Sequence, residues 1–149
     1  MPSTIPSWLI FALLSAVSAA LGTIFAKIGV EGLDSSLATA VRSIVMTLYL
    51  AIVAASMGLW QKLPTLNRLH LLNIVLSGLA GATSWLFMYK ALSLSAGKVF
   101  RVSSVDKLSV PLAVILAVLF LGERPLAINW LGVLLIIAGV FLVAYRPSA

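Results

Sequence analysis

The stretch INWLGVLLIIAGVFLVAYR, residues 128–146, carries no charge until its last residue, Arg146. A helix needs roughly 20 apolar residues to cross a hydrocarbon core about 30 Å thick. Four other stretches have the same character. The predicted spans cover about 8–26, 36–60, 69–89, 97–121 and 128–145. Trp8, Trp60, Tyr89, Trp130 and Tyr145 fall near span ends, where amphipathic rings belong at the membrane–water interface. The connecting loops are short, so residues 1–149 read as one membrane domain of all-α, polytopic, five-helix class. The first apolar run has no basic stretch before it and is too long for a secretory signal, so it reads as a retained helix.

Composition agrees. Of 149 residues, 62% are hydrophobic and 9% charged, and the mean hydropathy is +1.15. A soluble domain carries roughly 25% charged residues to cover its outside. The net charge of +6 would suggest nucleic acid in a soluble chain, but here the basic residues stand singly between apolar runs, at membrane interfaces. No nucleic-acid partner is expected; the surrounding partner is membrane lipid. Cysteine is absent, which excludes disulfides and cysteine-ligated zinc or iron–sulfur sites.

Five spans place the two termini on opposite sides. One side carries Lys62, Arg68 and Arg124, and the other carries Lys27, Lys90, Lys98, Arg101 and Arg146. That is a weak bias under the positive-inside rule. Either a feature outside the charge count fixes orientation, or copies insert both ways and pair antiparallel. Tandem fusion of an odd-span unit gives an inverted repeat; an unfused unit reaches that arrangement only with an inverted partner.

Ionisable groups within a membrane are expensive and are functional candidates by default. Three are predicted: Arg42, Asp106 and Lys107. Arg42 and Asp106 lie roughly 10–14 Å in from the same face at 1.5 Å rise per residue, a depth that suits an ion pair. Lys107 points about 100° away from Asp106 around an ideal helix. Ser103 and Ser109 flank Asp106 in one polar stripe. Pro111 removes the hydrogen bond to the carbonyl of Lys107 and predicts a kink there. Two readings stay open: the pair only holds helices together, or it lines a cavity that meets substrate or a coupling ion. Trp85 and Tyr89, four apart on one face, read as lipid anchors or as substrate wall. Small residues at Ser18/Gly22, Ser77/Gly81, Ala113/Ala117 and Gly132/Gly139 predict close helix approach. No metal cage, hydrolytic triad or P-loop is present, so no cofactor, metal site or enzymatic activity is expected.

The segment from Tyr89 to Arg124 resembles the EamA-type drug/metabolite transporters. The resemblance rests on Tyr89-Lys90-Ala91-Leu92, the small-residue loop Ser93–Gly97, the mid-span Pro111 and Leu121-Gly122-Glu123-Arg124, with Arg42 early in the second span. Asp106-Lys107-Leu108-Ser109 is similar to the short five-span bacterial and archaeal subgroup. The resemblance implies one half of a ten-helix inverted-repeat transporter. It further implies transport of small solutes such as amino acids, metabolites or toxic compounds. Taken with the odd span count and the missing P-loop, the expected protein is a gradient-driven carrier in a prokaryotic cell membrane, acting as a homodimer in antiparallel arrangement. Other readings are a non-transporting partner subunit or a lipid-linked flippase component.

Overall fold

The computed structural model describes residues 6–94 and 98–145. The regular elements among them are helical: α1 (Ser7–Val30), α2 (Ser35–Ser56), a 3₁₀ segment (Leu59–Thr65), α3 (Arg68–Ser93), α4 (Val99–Asp106), α5 (Ser109–Leu116), a π turn (Ala117–Leu121) and α6 (Ala127–Ala144). Five stretches, α1, α2, α3, Val99–Leu121 and α6, are long and apolar enough to span a membrane. The protein is an all-α polytopic membrane protein. Only helices satisfy their backbone hydrogen bonds within one lipid-embedded segment.

Helix limits differ from the predicted spans where local chemistry overrides hydropathy. α2 stops at Ser56 instead of reaching Trp60. The Met57 and Gly58 amides close onto the Val53 and Ala55 carbonyls, and Gly58 takes a left-handed φ of 65°. That conformation costs glycine little because it has no Cβ. Trp60 then lies in the 3₁₀ segment, which also holds Pro64. α1 and α3 run on through Lys27 and Lys90, where a cation near the last turn favours the helix dipole. Gly97, the predicted start of the fourth span, lies outside the described residues, as do Arg146 and the end of the Ser93–Gly97 loop.

Contacts divide the chain into two compact units, Ala26–Ser93 and Met1–Phe25 with Leu94–Ala149. In the first, Ala26, Val30, Ser35, Thr39, Tyr89 and Leu92 are buried, so its core lies where α1 ends, α2 begins and α3 ends. Lys27 Nζ donates to the Leu92 carbonyl at 2.8 Å and so caps the end of α3. In the second unit α4 and α5 pack on α6, burying Pro111, Val133 and Val140.

Asp34 starts α2. Its carboxylate accepts from the Leu37 and Ser36 amides at 3.0 and 2.9 Å, and these bonds hold its pKa below the usual carboxylate value, with Lys90 assisting. The folded chain therefore binds the proton less tightly than the unfolded one. The cap's contribution is fully present above the ordinary carboxylate pKa and is lost as pH falls through the lowered one. Exchange of the Ser36 and Leu37 amides, corrected for intrinsic rate, is expected to accelerate in that acid window. Asp34→Asn, which caps comparably but does not titrate, should show no such acceleration. Equal pH profiles for the two proteins would refute the assignment.

Six hydroxyls inside the spans bond within their own helix. Ser18, Thr23, Thr39, Ser43, Thr47 and Thr83 each donate to the carbonyl four residues earlier, a common solution for a hydroxyl in a helix. The small residues expected to draw helices together do not do so at Gly81, Gly132 or Gly139. A Cβ built at any of them meets no atom within 4 Å. At Gly81 the space belongs to a cleft between α2 and α3.

Candidate functional site

Arg42 lies seven residues into α2 and Trp85 eight residues before the end of α3. At 1.5 Å per residue both sit about 10–12 Å from the same end of the two helices. Packing of α2 on α3 brings them together. The Arg42 guanidinium carbon lies 3.6 Å above the Trp85 ring and 6.0 Å from that of Tyr89. The two rings are tilted by 59° with centroids 6.2 Å apart. A guanidinium over an indole is attracted by the ring quadrupole, by about 2 kcal/mol or more when desolvated. Arg42 is half-buried. Its Nε is sealed from solvent and has no hydrogen-bond partner among the described residues.

Two clefts meet at this arginine. One, about 340 Å³, runs from Arg42 and Trp85 along α2 and α3 past Met46, Leu50, Gly78 and Gly81. Its α2 residues recur every three or four positions, and so do its α3 residues, so each helix presents one face. The other, about 270 Å³, is lined by Gly29, Leu33, Leu37, Ala38, Val41, Arg42 and Tyr89. Arg42 with its two rings thus stands between a cleft directed along the helices and one directed to the end where α2 begins. The sequence reading missed Met46, Leu50, Gly78 and Gly81. The signal was their helical spacing from Arg42 and Trp85, which becomes informative only once the two faces are known to oppose.

Asp106 and Lys107 lie in the other unit, where the fourth span is interrupted. α4 ends at Asp106 and α5 begins at Ser109. The Lys107, Leu108 and Val110 amides each donate three residues back, to Ser104, Val105 and Lys107. Pro111 has no amide to give, and the Lys107 carbonyl accepts from Val110 instead. Lys107 does not point away from its neighbour as on an ideal helix. In this tightened turn its Nζ reaches the Asp106 carboxylate at 3.4 Å, with 58% of the lysine side chain and 35% of the aspartate side chain exposed. Ser103 remains on α4 with Asp106. Ser109 is beyond the interruption, at the start of α5, and lines a cleft of about 460 Å³ with Ala113, Ala117 and Glu123. Arg101, also on α4, has its guanidinium 5.3 Å from the Phe100 ring.

Five apolar helices, a half-buried arginine between clefts and a proline-interrupted span describe a polytopic membrane protein. The chain belongs to the EamA-like transporter family, which matches residues 6–145. It is 45% identical over 138 residues to an uncharacterized transporter in the cobO 3' region of Sinorhizobium sp., covering 93% of this chain and 96% of that relative. No solved structure matches the chain.

Proposed function

We propose that the protein is a gradient-driven carrier of small solutes, such as amino acids, metabolites or toxic compounds, in a prokaryotic cell membrane, and that it works as an antiparallel homodimer. The observation that carries the reading is Arg42, stacked on Trp85 between two clefts in a chain of the EamA-like family. A carrier needs a binding group reachable from either side in turn, and transporter sites lie where helices are broken or open. Arg42, Trp85 and Tyr89 supply the solute-binding wall. Asp106, Lys107, Ser103 and Ser109 supply the polar group of the interrupted span, with Pro111 just beyond the tightened turn. Asp106 carries the coupling proton.

The dimer rests on the odd span count and the near-even spread of basic residues between the two sides. The absence of cysteine makes single-cysteine labelling direct. Gln61→Cys in right-side-out vesicles should be labelled by an impermeant maleimide to about half, and the rest only after permeabilisation. Labelling that is all or none overturns the antiparallel arrangement. In proteoliposomes an imposed gradient should drive solute uptake that depends on pH. Asp106→Asn should flatten that pH profile; an unchanged profile and rate remove Asp106 from coupling. No movement of any solute class would remove the carrier reading and leave a subunit or lipid-handling role.

A further inference from the structure

The carrier reading leaves the chemistry of the solute open, and the surroundings of Arg42 narrow it. In its own unit the acidic side chains are Glu31 and Asp34, both before α2. Asp34 is eight residues from Arg42, about 12 Å along the helix axis, and is engaged by the Ser36 and Leu37 amides. Neither cleft that meets Arg42 is lined by a carboxylate. The hydroxyls that share the larger cleft, Ser43 and Thr47, spend their protons on the Thr39 and Ser43 carbonyls. The guanidinium is therefore the cleft's cationic donor. Its Nε is sealed from solvent and unpartnered, and an unmet buried donor costs about 1–3 kcal/mol, more when charged.

We propose that Arg42 recognises the carboxylate of the carried solute, an organic monoanion whose apolar body lies in the α2–α3 cleft. Contact with Trp85 holds the guanidinium carbon 3.6 Å from the ring centroid, at a position that lines the cleft. Arginine grips a carboxylate there through two parallel N–H···O bonds, which a lysine ammonium cannot reproduce. Met46, Leu50 and Ala82, with the side-chain-free Gly78 and Gly81, give the body of the solute a mainly apolar wall, and the Ser43 and Thr47 oxygens remain as acceptors. A cationic solute would meet a like charge in a cleft lined by no carboxylate. The phosphate of an anionic lipid offers similar oxyanion chemistry from the bilayer, and the test separates the two sources.

Replacing Trp8, Trp60 and Trp130 by Phe leaves Trp85 as the sole indole, 3.6 Å from the guanidinium. In zwitterionic nanodiscs, benzoate should shift its emission saturably, at least about tenfold more tightly than benzamide, the worth of a charge-assisted pair. Arg42→Gln should erase that preference, and Arg42→Lys should keep only part of it. Equal responses to benzoate and benzamide, or none to benzoate, overturn the proposal. So does short-chain phosphatidylglycerol displacing benzoate at lower concentration, which would make this a headgroup site. Uptake of neutral or cationic solutes by a protein indifferent to benzoate would overturn the carboxylate assignment and leave the carrier intact. Benzoate binding with no movement of any solute would remove the carrier and leave the carboxylate site.

Discussion

Leucine at position 81 is expected to lower solute uptake by at least about tenfold, the factor that roughly 1.4 kcal/mol represents, while the chain folds as well as before. Gly81 lines the cleft beside Trp85, and a Cβ placed there meets no atom within 4 Å. The first carbon of the added side chain therefore meets no neighbour, and the rest projects into the cleft that Gly81 lines. Within a helix, replacing glycine by leucine also recovers most of about 1 kcal/mol of propensity. A general defect in folding would lower activity and stability together. A blocked cleft lowers activity alone. Thermal melting in detergent and proteoliposome uptake measured on one preparation separate the two. Uptake at the unmodified rate with leucine in place would show that solute does not pass along the α2–α3 cleft.

The second large effect is on stability. Leu92 is fully buried near the end of α3, in the core shared with Ala26, Val30 and Tyr89. Leu92→Ala should destabilise the protein by about 2–5 kcal/mol, the transfer term plus the cavity left behind. Lys27→Met keeps the aliphatic stem but removes the ammonium from the Leu92 carbonyl, and should cost about 1.5–3 kcal/mol, the range for hydrogen bonds from charged groups. Equilibrium unfolding in mixed micelles measures both. A Leu92→Ala loss well under 1 kcal/mol would mean that the three helix ends do not form the core of their unit. Because Leu92 lies beyond Tyr89 on α3, any effect on uptake should follow the loss of folded protein.

How far the sequence reached differs from element to element. The five spans were readable because bilayer thickness sets a length that composition alone reports. The end of α2 was not, because hydropathy continues through Leu59 and Trp60 while the left-handed Gly58 turns the chain. The interruption after Asp106 was readable from Pro111, since a missing amide acts locally. The Lys107–Asp106 contact was not, because an ideal 100° step no longer applies in a turn bonded three residues back.

The sequence by itself determined the all-helical membrane class, the family and the presence of Arg42, Asp106 and Lys107 within spans. Each follows from local quantities: run length, residue spacing and the cost of charge in hydrocarbon. Only the tertiary structure decided that Trp85 is a platform for Arg42 rather than a lipid anchor, and that Gly78 and Gly81 open a cleft rather than close a crossing. Depth along the membrane normal matches Arg42 with several residues on other helices. The rotation of α2 against α3 selects among them, and that rotation is set by packing between residues more than forty positions apart, which no local spacing records.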